Sequence, residues 1–485
     1  MHSNNVAGSF AYKFIERFSV KAIGLIIGII LARLISPDEF GRLAILSVFI
    51  SLSQTIIDSG FNTALIQNKD VTDDDYSTVF YLSLGLSGII IAILFVIAPI
   101  ISHYYGTNDL TAPLRVYSLA LAFGAFNSIQ TAKLQREMRF KAIMICSLIA
   151  IVPSGVLGIS MAYAGFGLWA LIAYHGSSVV ATSVCMLFVA KWHPKFVFSM
   201  ARARVLFEYG WKILVSGVLC GLYNDVRSLV IGKKFSTEVL GFYNRGQQIP
   251  QMLSMTMDNS VQAVMLPVLS DAQDEKKRLA EMMKRAISLD LLILAPVMIG
   301  LAVVAESVVK ILYTETWIPC VVYLQIICFA EIATPFISSG LIGIKAVGRS
   351  DVYMKLEFVR RIMMTAILLV SILCFDSVLA IAIGYIVSCW IDAILVAIPV
   401  SMHIGITPVQ QMKSTWKIFI CAAIMGAIVF ALGLLNINVI LKLCIQVVLG
   451  IVVYVVMCYF LRVDSFYFCL NMINDKFSGG KGKQR

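Results

Sequence analysis

Apolar runs of about twenty residues, parted by short polar breaks, recur along the whole chain. Each is long enough to form a helix that crosses a lipid bilayer. About fourteen spans are predicted, at roughly 14–35, 41–67, 78–104, 112–134, 141–164, 166–190, 209–232, 242–268, 284–312, 318–343, 351–375, 377–400, 414–435 and 438–461. The longest breaks, Lys191 to Glu208 and Ser270 to Met283, leave no sizeable extramembrane domain. The expected fold class is an all-α polytopic membrane protein.

One stretch occurs twice. Arg33-Leu-Ile-Ser36-Pro37-Asp38-Glu39-Phe40-Gly41 opens an apolar run that reaches Asp58. Two hundred residues later, Lys233-Lys-Phe-Ser236-Thr237-Glu238-Val239-Leu240-Gly241 opens another that reaches Asp258. In both, a helix ends in a basic residue and a Ser is placed to cap the next helix. An acid lies in that helix's first turn, where the N-terminal dipole favours negative charge. Ser36 and Glu39 have capping-box spacing, and Pro37 takes the first helical position, where a missing N–H is harmless. Matched punctuation and matched hydropathy indicate a duplicated bundle: spans 1–6 in residues 1–200 and spans 7–12 in 201–400. Spans 13 and 14 follow in 401–463, and a polar, Gly-rich tail in 464–485.

Composition agrees with this picture. The chain has 485 residues, 59% hydrophobic and 14% charged, with a mean hydropathy of +0.87. No soluble globular protein needs so much apolar surface. The first apolar run continues into further spans, so no secretory signal peptide is expected. The 11 cysteines lack Cys-x-x-Cys spacing and read as small buried hydrophobes. Of five histidines only His175 lies well inside a span, which argues against a histidine metal centre. The net charge of +11 sits in loops between spans, so membrane topology explains it better than nucleic acid does. With the N-terminus inside, the inner loops hold nineteen Lys and Arg against seven outside. Both termini are therefore expected in the cytoplasm, and both halves enter the membrane from the same side, as in transporters with parallel repeats.

Function should show in the intramembrane charges, since each costs roughly 2.5–3.5 kcal/mol at a helix centre. Glu208 with Lys212, and Glu357 with Arg360 and Arg361, have the spacing of local ion pairs. Lys13, Arg17 and Lys21 recur every four residues and stack as like charges on one helix face, which is unfavourable unless an anion faces them. The same face continues to Gly24 and Gly28, a pair that permits close approach of a helix or lipid chain. For Lys13, snorkelling to the headgroups is the simpler reading; Arg17 and Lys21 lie about 5 and 10 Å inside the span, where an anion-binding cavity suits them equally. Asp225 and Arg227, two apart, cannot share a face. Asp58 and Asp258 end their spans, placed to pair with a base, to couple an ion, or to make a helix-packing bond with Asn62 or Gln262. Asp290, Glu331 and Asp392 have no partner obvious from spacing. Motifs for enzyme chemistry are missing: no phosphate-binding Gly loop, no metal-ligand spacing, no acid pair on an extramembrane loop.

These residues also carry a family resemblance. The opening stretch, with Asp58-Ser-Gly60-Phe-Asn62-Thr-Ala64-Leu-Ile-Gln67, resembles that of polysaccharide-export flippases of the Wzx type, in the multidrug/oligosaccharidyl-lipid/polysaccharide exporter superfamily. Leu134-Gln135-Arg136-Glu137-Met138-Arg139-Phe140, Gly165-Phe-Gly167-Leu-Trp169-Ala170-Leu171 and Leu240-Gly241-Phe-Tyr243-Asn-Arg245 fit as well. The resemblance is nearest to the colanic-acid and teichuronic-acid branch. It implies two pseudo-symmetric six-helix bundles, as in MATE exporters, around a cavity that opens to alternate sides. It implies, too, a substrate: an oligosaccharide repeat unit on a polyprenyl pyrophosphate, moved across the bacterial inner membrane. Arg17 and Lys21 from one bundle, with Lys212 and Arg227 from the other, are then expected to line the cavity and bind that substrate, since pyrophosphate requires cationic donors. Asp58, Asp225 and Asp258 would balance them or couple transport to H⁺ or Na⁺. No cofactor, metal or nucleic-acid partner is expected; membrane lipids, and transiently the polymerase and export machinery, are the expected partners. A drug antiporter on the same fold would favour acids and aromatics over a basic stripe. A polysaccharide polymerase or ligase would carry a long periplasmic loop, and a scaffold would not need scattered intramembrane charge.

Overall fold

The computed structural model describes residues 20–58, 61–62, 65, 71–271, 275–435 and 437–478. Those residues form helices, turns and short connections, with no β-strand. Helix α1 covers residues 20–34 of the described chain. It is followed by α2 (Pro37–Asp58), α3 (Asp73–Tyr105), α4 (Thr111–Ser118), α5 (Ala120–Arg136), α6 (Phe140–Tyr163), α7 (Leu168–Ala190), α8 (Met200–Lys234) and α9 (Thr237–Asp271). Then come α10 (Lys276–Val303), α11 (Ala305–Leu312), α12 (Cys320–Glu331), α13 (Thr334–Ala346), α14 (Ser350–Cys374), α15 (Val378–Ile404), α16 (Pro408–Gly433), α17 (Val439–Phe460) and α18 (Asp464–Ser478). Ten of the described helical segments are long and apolar enough to cross a membrane. The expected first, fourth, eighth and eleventh spans are helical where described but outside that set, the first being described only from residue 20. The fourth is interrupted after Ser118, while α9 and α14 carry Arg245, Asp258, Glu357, Arg360 and Arg361. The chain forms two compact units, Met1–Gly241 and Phe242–Arg485.

In the first unit the expected capping box is present. The Glu39 N–H donates to Ser36 Oγ and the Ser36 N–H to Glu39 Oε2, both at 3.4 Å. Glu39 Oε1 also accepts the N–H of Leu168 at 3.2 Å, so one carboxylate serves the N-termini of α2 and α7. Gly167 makes this approach feasible: its φ is +51°, and a Cβ there would overlap the Glu39 carboxylate. The second copy of the stretch is capped by Ser236, whose Oγ accepts the Val239 N–H at 3.2 Å. The two copies meet inside this unit. Thr237 Oγ1 donates to Asp38, and a Cβ on Gly41 would overlap the Thr237 carbonyl.

Helices α2 and α8 pack antiparallel. A Cβ on Gly217 would lie 3.2 Å from Thr55 Cγ2, and one on Gly221 at 3.2 Å from Leu52 Cδ2. The Gly217/Gly221 pair thus brings the two backbones close, the usual route to association where lipid removes the hydrophobic incentive. Ile27, Leu31, Leu43, Leu46, Leu168 and Leu171 pack α1, α2 and α7 together. On α3, Ile89, Ile93, Val96 and Ile100 form an exposed ridge at helical spacing, suited to lipid.

Proline shapes both units. Pro99 in α3 cannot donate to the Phe95 carbonyl one turn earlier, and Arg115 Nε supplies that bond at 3.1 Å. In the second unit Pro296 likewise frees the Leu292 carbonyl, and Tyr454 OH on α17 donates to it at 2.8 Å. The expected tenth span is broken between Glu331 and Thr334. Pro335 lacks the N–H that a continuous helix would direct to the Glu331 carbonyl. The Glu331 side chain instead accepts from Thr334 Oγ1 at 3.2 Å.

Candidate functional site

Arg17 and Lys13 lie outside the described residues. Lys21 is exposed, in the first turn of the described part of α1. Three residues on, a Cβ on Gly24 would meet Ile151 Cδ1 of α6 at 3.6 Å and Tyr174 OH of α7 at 3.7 Å. Lys212 falls in α8, but its side chain lies outside the described residues. Arg227, on the same helix, is buried at 8% exposure.

Helix α2 carries a polar stripe through a membrane span. Ser51, Gln54, Thr55 and Asp58 recur at three- and four-residue steps. Ser51 Oγ donates to Asp225 Oδ2 on α8 at 2.9 Å. Asp58 Oδ1 accepts from Gln54 Nε2 at 3.1 Å and from Ser128 Oγ on α5 at 2.6 Å. Asn62, named from the sequence as a partner for Asp58, reaches it through Ser128, to whose hydroxyl its amide donates. The structure thus sets Asp225 and Asp58 along one polar stripe. Ser51 and Ser128 were not foreseen; the signal for Ser51 was hydroxyls and amides repeating along one face of an otherwise apolar run.

The second unit has another polar interior. Asp258 on α9 lies within electrostatic reach of Asp290 on α10 and Glu331 at the α12 break. Asp290 is 2% exposed and Glu331 6%. Glu331 Oε1 accepts from Tyr385 OH on α15 at 3.2 Å. Asp392, 1% exposed, is held by Arg360 of α14 through Nε and through Nη2, the latter at 2.7 Å to Oδ2. Glu357 pairs with Arg360 at 2.5 Å and Arg361 at 3.6 Å, as its spacing predicted. Glu208 is bonded to Arg204 at 3.7 Å, a partner the sequence reading did not name. Among the described residues, no group of three or more His, Cys, Asp or Glu is arranged to hold a metal ion.

Long apolar helices, prolines inside spans and networked intramembrane charge define a multi-pass membrane protein. A model of the family described as polysaccharide biosynthesis protein matches residues 30–322, more than half of the chain, and the chain belongs to that family. The teichuronic acid biosynthesis protein TuaB of Bacillus subtilis is 25% identical over 305 residues, 62% of each chain. The lipopolysaccharide biosynthesis protein WzxC of Escherichia coli is 24% identical over 308 residues, 63% of each. The chain thus spans somewhat under two thirds of the length of these curated relatives. Among solved structures, the lipid II flippase MurJ in an inward closed conformation superposes with a TM-score of 0.76 at 14% identity, covering 92% of this chain and 98% of that one. An inward-facing multidrug transporter of the MATE family gives 0.62 at 17% identity, covering 81% and 98%. These likenesses show the all-α membrane fold class, shared with MurJ and MATE transporters, that was expected from the sequence.

Proposed function

We propose that this protein flips a polyprenyl-pyrophosphate-linked oligosaccharide repeat unit from the cytoplasmic to the periplasmic leaflet of the inner membrane, by alternating access. The observation that carries the reading is a chain of the polysaccharide biosynthesis family on a fold shared with a lipid II flippase over 92% of its length. Relatives named for teichuronic acid and lipopolysaccharide biosynthesis support a glycan-bearing substrate. The distribution of Lys and Arg supports cytoplasmic termini.

In this reading Arg17, Lys21, Lys212 and Arg227, all in the first unit, receive the pyrophosphate. Arginine offers it bidentate geometry, and lysine a point charge. Asp58, Asp225 and Asp258 balance those charges or couple transport to H⁺ or Na⁺. Transient contact with the polymerase and export machinery would take the repeat unit onward. A MATE-type drug antiporter is the second reading, supported by the 0.62 superposition.

Deleting the gene tests the proposal. Lipid-linked repeat units should accumulate inside, and the wild-type chain should clear them while an Arg17→Ala/Lys21→Ala double variant, present at normal level, does not. Absence of accumulation overturns flipping; full export by the double variant overturns the basic site alone. Drug sensitivity without glycan retention would favour the antiporter.

A further inference from the structure

A polar cavity lies wholly within the second unit, and none of the residues assigned to transport above lines it. Its volume is about 900 Å³, and it is walled by α10, the start of α16, and α18 with the turn leading into it. Lys284, Arg285 and Arg462 line it together with Glu281 and Asp464. Among the described residues no ion pair joins these cations to those carboxylates. The lining thus carries three positive and two negative charges around space that a ligand can occupy.

The fold holds this arrangement in place. Arg462 has φ +48°, a left-handed conformation that costs a non-glycine residue roughly 1 kcal/mol. The turn is fastened by the Val463 N–H donating to the Cys458 carbonyl at 3.1 Å and by Lys417 Nζ donating to the Arg462 carbonyl at 3.1 Å. Val463, 3% exposed, is buried beneath it. Helix α18 is thereby folded back along α10, where Arg285 lies over the Phe468 ring at 5.6 Å from its centroid.

We infer that this cavity binds the phosphate of an anionic lipid bearing hydroxyls beyond it. The cations supply charge-assisted donors to the phosphate, and basic pockets between membrane helices suit anionic headgroups. The two carboxylates accept from headgroup hydroxyls, while Ser288 and Ser414 add further polar contacts. Tyr467 and Phe468 give the rim the aromatic character typical of the membrane interface. The cavity stands beside Lys413 and Lys417, on the basic membrane face. Two sources share this chemistry: phosphatidylglycerol of the surrounding leaflet, and a polyprenyl pyrophosphate carrier with its glycan attached.

The test uses the full chain purified in detergent, with binding read by native mass spectrometry and by shift in melting temperature. Phosphatidylglycerol, phosphatidylethanolamine and a glycosylated polyprenyl pyrophosphate are titrated separately. At least one anionic lipid should bind the wild type more tightly than phosphatidylethanolamine, and lose about tenfold in affinity on Lys284→Gln/Arg285→Gln. Lys276→Gln/Lys277→Gln, which removes equal charge from the first turn of α10 outside the cavity, should change it by less than about twofold. Arg462→Gln, on another wall, should repeat the loss if the double variant fails to fold. Loss with phosphatidylglycerol alone assigns a resident lipid; loss with the pyrophosphate alone assigns the carrier. Equal binding of both anionic lipids to wild type and cavity variants, or phosphatidylethanolamine binding as tightly as either, overturns the inference. None of these readouts depends on transport, so flipping and this site fail separately.

Discussion

The two units have unlike interiors. In the first, Asp58 and Asp225 are only half-buried and each accepts from neutral hydroxyl or amide donors: Ser128, Gln54 and Ser51. In the second, Asp392 is buried and neutralised by Arg360, while Glu331 is buried against Tyr385 and Thr334. A half-buried carboxylate with neutral partners keeps its charge available to something else. A buried one locked to a guanidinium has its charge spent on packing. By this contrast Asp58 and Asp225 keep their charge available in the first unit, and in the second the Arg360–Asp392 pair holds α14 to α15.

Breaking the framework should have the largest effect on stability. Arg360→Ala leaves Asp392 as an uncompensated buried charge and should cost about 3–5 kcal/mol. Thermal unfolding in detergent would show it as a large fall in melting temperature. The double variant Arg360→Leu/Asp392→Leu should recover most of the loss, because apolar residues of similar volume replace a buried pair at little penalty. A double variant no better than the single one would mean that the pair does more than hold α14 to α15.

Next comes the close approach that builds the first unit's polar stripe. Gly221→Leu inserts a side chain where a Cβ already meets Leu52, and should destabilise by about 1–3 kcal/mol. It should also separate Ser51 from Asp225, one turn beyond Gly221, so export should fall further than stability alone explains. Equal loss of both would show that α2–α8 packing matters only as packing.

Tyr454→Phe should cost less, about 1–2 kcal/mol, by leaving the Leu292 carbonyl that Pro296 frees without its donor. Restoring the helical donor with Pro296→Ala in the same chain should remove most of that penalty, a coupling read directly from the four melting curves. Independent, additive losses would refute the assignment of Tyr454 to that carbonyl.

The bonds that separate the units were also the hardest to read in the sequence. Local pairs were legible: Ser36 with Glu39, Glu357 with Arg360 and Arg361, and the Gly165–Gly167 turn all follow from spacing along one helix or turn. Partners on other helices were not. Arg360 lies 32 residues from Asp392, Ser128 lies 70 from Asp58, and Tyr454 lies 162 from Leu292. No single-chain periodicity links such positions, because which helix faces meet depends on packing. The broken tenth span was readable in principle, since Pro335 stands one turn after Glu331, but strong hydropathy across 318–343 favoured a continuous helix.

The smallest expected change in stability tests the first unit most sharply. Asp225→Asn keeps shape, and its amide oxygen can still accept from Ser51, so melting should shift by no more than about 0.5 kcal/mol. Only the charge is lost. If that charge balances the basic residues that receive the substrate, export should drop about tenfold or more at unchanged protein level, through loss of one charge–charge interaction in a poorly screened setting. Asp58→Asn, bonded to Ser128 and Gln54 in the same manner, should behave alike. Asp392→Asn should do the reverse, lowering stability first and export only in proportion. Normal export in both first-unit variants would make their carboxylates helix-packing groups after all, and the two units would then differ in how they are held together and in nothing else.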